Sequence, residues 1–260
     1  VQYIDKIKEI VRLLKESQKT LALTGAGIST ESGIPDYRSP QTGLWEKHDP
    51  IKTASLSALK KDPAQFYAIN LERWTAYNNA KPNPAHYALE RLEKTGLLLG
   101  VITQNIDSLH VKAGSNRVWE VHGHLRTCHC MSCKAEHDFS NLAARFKGGE
   151  NPPRCLKCSG ILRPDVVLFE DRMNEDFFQA TQVISGCQLL LVVGSSLTVY
   201  PVAGLPGVAK QIVIINKTPT PWDEEAAVVI NESAGRVFRD IMAELGEQLP
   251  GELGNTAENH

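Results

Sequence analysis

The decapeptide Thr20-Leu21-Ala22-Leu23-Thr24-Gly25-Ala26-Gly27-Ile28-Ser29 decides how the rest of the chain is read. Its run from Thr20 to Leu23 has strand character and passes straight into a glycine turn, after which a helix is expected to begin. Strand, glycine turn and helix together open a nucleotide-binding α/β unit, because glycines let the backbone approach a pyrophosphate and helix amides receive its charge. The next glycine is Gly33, so this is not a strict G-x-G-x-x-G and needs support from elsewhere.

Three further runs supply it. Leu97–Thr103 follows a helix expected over Pro84–Lys94, Leu189–Val193 runs into Gly194-Ser195-Ser196, and Gln211–Asn216 ends on an amide. All are continuous apolar runs, as expected of parallel strands buried on both faces. The fold class is therefore α/β, a doubly wound parallel sheet. Residues 4–16 add an amphipathic helix through Ile4, Ile7, Val11 and Leu14. Two stretches interrupt the rhythm: Asp36–Pro82, with helix-like Ala64–Tyr77, and Arg126–Gly160; they are expected to form a smaller second unit. No internal repeat is visible.

The 260 residues are 42% apolar and 22% charged, ordinary for a packed globular protein. With 28 basic against 30 acidic residues the formal charge is −2, so no global basic field draws the chain to nucleic acid or to an anionic membrane. Its apolar runs are far shorter than the roughly 20 residues that span a bilayer. Charges among the N-terminal apolar residues exclude a secretory core there, and an intracellular, cytoplasmic location is expected. The chain begins at Val1, so an initiator Met or a few residues are expected ahead of it.

Cys130 and Cys133 form one C-x-x-C and Cys155 and Cys158 a second, with 21 residues between. Two such knuckles can place four thiolates around one structural zinc ion, and an intracellular chain of this size needs no disulfides. Cys128, His129 and His137 are spare donors; Cys187, before an apolar run, reads as a buried strand-end thiol.

Polar peptides collect near the strand ends, where open parallel sheets hold ligands. Thr103-Gln104-Asn105-Ile106-Asp107 offers amides and a carboxylate suited to a carboxamide or to ribose hydroxyls. His122, beside Gly123 at a junction with the cysteine segment, suits general-base work on a hydroxyl. His48, His86 and His110 read as structural. Gly194-Ser195-Ser196 could hold phosphate, and Asn216 a ribose.

These motifs, taken together and in order, resemble the sirtuins from about Leu21 to Phe238: Gly25-Ala26-Gly27-Ile28-Ser29, Gly33-Ile34-Pro35-Asp36-Tyr37-Arg38, Thr103 to Asp107, His122-Gly123, the two C-x-x-C pairs, Gly194-Ser195-Ser196 and Ile215-Asn216. The resemblance implies an NAD-dependent protein-lysine deacylase with a Rossmann-fold domain over 1–35, 83–125 and 162–246. It further implies a cofactor loop and helical module over 36–82 and a zinc-binding module over 126–161, followed by a flexible tail at 247–260. NAD and an acyl-lysine peptide would enter the cleft between the domains from opposite sides.

By that resemblance Gly25, Ala26, Gly27, Ser29, Asp36, Tyr37 and Arg38 would hold NAD phosphates and ribose, with Arg38 on a closing loop. Gln104, Asn105 and Asp107 would line the nicotinamide pocket, and His122 would be the general base, with Asn105 and Asp107 also catalytic. Gly194, Ser195, Ser196 and Asn216 would hold the adenosine half, with Ser233 and Ala234 bordering adenine. Val166, Val167, Leu168 and Phe169, faced by Val199 and Tyr200, would pair with the peptide backbone of acetyl-lysine proteins. The implied chemistry is attack of the acyl oxygen on C1′ with loss of nicotinamide, then a His122-assisted attack by the ribose 2′-hydroxyl. Its products are free lysine, nicotinamide and 2′-O-acyl-ADP-ribose.

Two positions depart from the family pattern, and a third bears on acyl preference. Tyr37 replaces a common Phe, and Glu170 replaces a common glycine within Phe169-Glu170-Asp171. Sirtuins that prefer succinyl-lysine pair a Tyr with an Arg three residues later; here Tyr67 is followed by Asn70, and Arg73 falls on another face from Tyr67. Acetyl and longer apolar acyl groups are therefore expected to be favoured over succinyl. Competing readings are mono-ADP-ribosyl transfer, a zinc-ribbon interaction module, disfavoured by basic residues scattered among acids between Arg126 and Arg163, and a plain dehydrogenase.

Overall fold

The computed structural model describes residues 2–36 and 50–250. In chain order the first elements are α1 (Tyr3–Glu16), β1 (Thr20–Thr24), α2 (Pro50–Thr53), α3 (Leu56–Lys61), α4 (Pro63–Asn79) and α5 (Pro84–Lys94). Next come β2 (Val101–Thr103), α6 (Leu109–Ala113), β3 (Val118–Glu120), β4 (Gly123–Cys130), β5 (Glu136–Asp138), α7 (Phe139–Lys147) and β6 (Leu162–Val166). The chain continues through α8 (Glu175–Val183), β7 (Leu189–Val193), β8 (Gln211–Ile215), β9 (Val228–Ile230) and α9 (Ala234–Leu245).

Six strands form one sheet of order β3-β2-β1-β7-β8-β9, every neighbouring pair parallel. Thr24 pairs with both Thr103 and Val193, and Val193 with Ile215, so four carboxyl ends lie level. Alternate strand residues divide between two faces. Ala22, Leu191 and Val213 pack with α1, α5 and α9, whereas Leu21, Leu190 and Ile212 pack with Ala180 and Ile184 at α8. Burial on both faces accounts for the absence of apolar–polar alternation in these strands.

A second sheet, antiparallel and of order β5-β4-β6, belongs to a separate core that joins Leu59, Phe66 and Trp74 to Phe139, Leu142 and Cys128. Both sequence interruptions thus bury apolar residues in one cluster. The smaller sheet starts at Gly123 and ends at Val166, beyond the expected bounds of 126–161.

Several expectations need correction. The residues after the glycine turn form a 3-10 helix, Ala26–Ser32, rather than an α-helix. Its carbonyls are claimed elsewhere: Thr30 Oγ1 donates to Gly27 O at 2.9 Å and Asn83 Nδ2 to Ile28 O at 2.7 Å. The strand expected over 97–103 is regular only over Val101–Thr103, because Leu97 and Leu98 N–H groups close the end of α5 onto Leu92 O. Short strands β3 and β9, and helix α7, were missed. The tail is not wholly loose: Arg91 Nε donates to Glu247 at 2.7 Å and Leu249 is buried, while 251–260 lie outside the described residues. No helix among the described residues is long and apolar enough to cross a membrane.

Candidate active site

From β1 the chain moves outward to β2 and β3, then returns to the other side of β1 at β7 and continues to β8 and β9. Crevices for ligands open beyond the carboxyl ends at such a reversal. Here the two glycine turns meet. Gly25 N–H donates to Val193 O at 3.0 Å and Gly27 N–H to Gly194 O at 2.8 Å. A Cβ on Gly27 would stand 2.8 Å from Gly194 Cα, and one on Gly194, at φ 62, only 2.1 Å from Ile28 N. Only bare backbone fits this crossing.

A cleft of about 380 Å³ lies over it. Of the residues expected to bind ligands, Gly25, Ala26, Gly27, Asp36, Gln104, Asn105, His122, Gly194, Ser195, Ser196 and Asn216 line it, as do Val166–Phe169, Val199 and Tyr200. An adjoining cavity of about 340 Å³ shares Gly27, Asp36, Gly194 and Asn216 and adds Ala234. Ser233 lines neither; it stands at the N-cap of α9. Tyr37, Arg38 and His48 lie outside the described residues. The sequence reading missed Thr53, Ala54, Arg73, Trp74 and Met173 in the main cleft, and Lys217 and Glu232 in the adjoining one; Glu170 and Ile106, quoted within their motifs, also line the main cleft. Lys217 directly follows Asn216 and could have been found by the same strand-end rule; Thr53 and Trp74 reach the site only through packing of the smaller core.

Ser29 and Asp107, expected at the ligand surface, line neither cavity. They form a buried layer behind Asn105. Ser29 Oγ donates to Asp107 Oδ2 at 2.7 Å and accepts from Asn105 Nδ2 at 3.1 Å, while Asn105 Nδ2 also reaches Gly25 O at 3.1 Å. Leu109 N–H donates to Asp107 Oδ1 at 2.9 Å. Burial raises the Asp107 pKa, opposed by these donors. Because both amide hydrogens of Asn105 face this layer, its Oδ1 remains an acceptor for a ligand. Thr24 Oγ1 donates to Thr103 Oγ1 at 2.8 Å and lies 2.9 Å from His110 Nε2, so the buried His110 supports the strand ends from below.

His122 Nδ1 lies 3.0 Å from Gln104 O. A carbonyl accepts only, so Nδ1 carries the proton and Nε2 is left as a lone-pair base. Desolvation lowers the His122 pKa, against a smaller raising effect of that hydrogen bond. Gln104 Nε2 in turn donates to Ser195 Oγ at 2.9 Å, joining the two sides of the cleft.

The opposite wall is the end of β6, an edge strand of the smaller sheet. Its amides are largely committed: Val167 N–H to His122 O at 2.8 Å, Leu168 N–H to Asp171 Oδ2 at 2.9 Å, Phe169 N–H to Ala54 O at 3.0 Å. The carbonyls of this wall are mostly taken as well, Val166 O by Arg163, Leu168 O by Asp171 N–H and Phe169 O by Leu56 N–H, which leaves the Val167 carbonyl as the acceptor with no such bond among the described residues. Arg73 also reaches this cleft. Its guanidinium donates to Asn70 Oδ1 at 2.8 Å, and its buried Nε has no partner among the described residues. Tyr67 is fully buried instead, its hydroxyl donating to Leu162 O.

The four sulfurs of Cys130, Cys133, Cys155 and Cys158 lie within 4.8 Å of one another, with Cys130 to Cys158 at 3.4 Å and Cys133 to Cys155 at 3.6 Å. A tetrahedron with Zn–S bonds of about 2.3 Å has edges of about 3.8 Å, so the set fits one zinc ion. Amides of Cys133 and Ser132 pull the Cys130 thiol toward thiolate. Cys128 stays outside: burial pushes its pKa up to about 12, and its thiol donates to His137 O. Cys187 is buried at the start of β7, as expected. The larger site fits NAD by its own chemistry, with bare glycine backbone at the sheet reversal, amides and hydroxyls around it, and two adjoining cavities for a long two-headed ligand.

A model of the Sir2 family matches residues 25–201. An NAD-dependent protein deacetylase 2 of Caldanaerobacter subterraneus subsp. tengcongensis is 50% identical over 234 residues, covering 90% of this chain and 94% of that protein. An NAD-dependent protein deacylase 2 of Archaeoglobus fulgidus is 42% identical, covering 93% and 96%. A solved Sir2 structure with p53 peptide and NAD+ superposes with a TM-score of 0.85 at 36% identity, covering 92% of this chain and 98% of that one. With this agreement along most of its length, in sequence and in fold, the chain belongs to the Sir2 family.

Proposed function

We propose that the chain is an NAD-dependent protein-lysine deacetylase that releases nicotinamide and leaves the acetyl group as 2′-O-acetyl-ADP-ribose. The carrying observation is His122, an imidazole whose Nδ1 is tied to Gln104 O, on the wall of a cleft built over the Gly27–Gly194 crossing. Bound NAD would supply a C1′–nicotinamide bond that breaks as the acetyl oxygen bonds to C1′, with nicotinamide as the leaving group. The chain's residues do the rest. The backbone at Gly25-Ala26-Gly27 and Gly194-Ser195 receives the diphosphate, with Ser196 and Asn216 toward the adenosine ribose and Asp36 and Ala234 at the adjoining cavity. Gln104 and Asn105 orient the nicotinamide carboxamide and its ribose. Asp107 holds Asn105 through Ser29, so its contribution is positional.

His122 Nε2 takes the proton of the ribose 2′-hydroxyl, a task closed to an imidazolium. On the substrate side, the Val167 carbonyl accepts the N–H of the acetyl-lysine side chain, faced by Val199 and Tyr200. Longer apolar acyl chains find Ile106, Val167 and Phe169 on the same walls. Zinc, held by its four cysteines, has a structural part.

The test is mass spectrometry of an acetyl-lysine peptide incubated with and without NAD. Loss of the acetyl mass only with NAD, accompanied by acetyl-ADP-ribose, is expected. ADP-ribose attached to protein without deacetylation would favour ADP-ribosyl transfer instead.

A further inference from the structure

The loop after β6 holds one residue in an unusual conformation. Glu170 stands at φ 74, in the left-handed region where a side chain is ordinarily disfavoured and glycine preferred. Yet its side chain is engaged. Both carboxylate oxygens are used at the start of α3: Ser57 N–H and Ser57 Oγ each donate to Glu170 at 2.9 Å. The residue before it is tied to the same strap, with Phe169 N–H donating to Ala54 O and Leu56 N–H to Phe169 O, both at 3.0 Å. From the other side Asp171 accepts from Arg163 at 2.6 Å and from Leu168 N–H at 2.9 Å. Ala54, Phe169 and Glu170 all line the main cleft.

We propose that Glu170 is a positioning residue: by clasping Ser57 it ties the peptide-side wall to the α2–α3 strap before substrate arrives. This rests on the reading of the cleft as a deacetylase site. A glycine at 170 would adopt the same backbone without strain but would leave the wall joined to the strap only through Phe169. With the clasp, the wall is ordered in advance, so less conformational entropy is lost when a peptide binds. The side-chain hydrogen bonds of Glu170 go to Ser57, not to the glycine crossing or to His122, so its effect is expected on the peptide more than on NAD.

The experiment compares wild type, Glu170→Gly, Glu170→Gln and Ser57→Ala by steady-state kinetics and by hydrogen exchange. Glu170→Gly should raise KM for an acetyl-lysine peptide about tenfold, the loss of a charge-assisted hydrogen-bond pair, and raise it more than KM for NAD. Glu170→Gln keeps one acceptor and should recover part of that loss; Ser57→Ala, which keeps the backbone donor, should fall between wild type and Glu170→Gly. Exchange at the Ser57 amide should quicken in Glu170→Gly. An unchanged peptide KM, an equal rise for NAD, or a Gln variant no better than Gly would overturn the proposal. If the wild type does not deacetylate the peptide, the functional reading fails instead; the clasp is then judged by the Ser57 amide alone, and unchanged exchange overturns it.

Discussion

His122 shows how one hydrogen bond sets the chemistry available to a side chain. The Gln104 carbonyl can only accept, so it selects the tautomer with Nε2 unprotonated, and partial burial lowers the ring's pKa below the ordinary 6.5. The sign follows directly. A lowered pKa keeps the neutral base populated to lower pH, so kcat/KM for the peptide should hold its plateau down to about pH 6.5 and fall only below it. An acid limb centred above that value would show that another group titrates. His122→Ala should lower deacetylation by about 10² to 10⁴ while calorimetry still detects NAD binding; substantial turnover by the variant would place the base elsewhere.

At the scale of an element, α4 corrects an argument made from residue numbers. Counting from Tyr67 put Arg73 on another face of this helix, and that separation is real. The face turned to the cleft, however, is that of Arg73 and Trp74, whereas Tyr67 is buried against Leu162. Asn70 does not replace a cation; it holds one, through its Oδ1. Arg73 thus offers the cleft a cation that the count from Tyr67 had set aside. Arg73→Met should lower the ratio of succinyl to acetyl kcat/KM by about ten- to a hundredfold, the worth of a charge-assisted hydrogen bond. An unchanged ratio would mean that Arg73 does not meet the acyl group.

Among the described residues the larger sheet carries an apolar cluster on each face and the smaller unit a third, and residues of both units line the cleft. Cys130 and Cys155 are buried within the smaller core, beside Leu162 and Phe139, so metal binding and packing there are coupled. Cys130→Ala should therefore lose zinc by metal analysis and lower the melting temperature, whereas Cys128→Ala should keep one zinc per chain. Zinc loss in the Cys128 variant would refute the ligand set.

Local pattern was enough to establish the parallel sheet, the two cysteine knuckles and the strand-end part of the cleft lining, whereas Asp36 and the wall of Val166–Phe169, Val199 and Tyr200 came only with the resemblance to sirtuins. Continuous apolar runs are a direct signature of strands buried on both faces, and C-x-x-C bite and glycine turns are properties of neighbouring residues. The sequence alone therefore placed Gly25, Gln104, His122, Gly194 and Asn216, each just beyond or near a strand end. Tertiary structure decided what depends on partners distant in the chain. Asn83 and Thr30 claim the carbonyls that an α-helix after Gly25 would need, giving a 3-10 turn. Ser29 and Asp107 withdraw behind Asn105 because they satisfy each other across 78 positions of sequence. Arg73 enters the cleft and Glu170 bears a left-handed backbone because of Asn70 and Ser57, and no periodicity or spacing records such pairings: hydrogen-bond satisfaction in a buried site is settled by whichever groups the fold brings within reach.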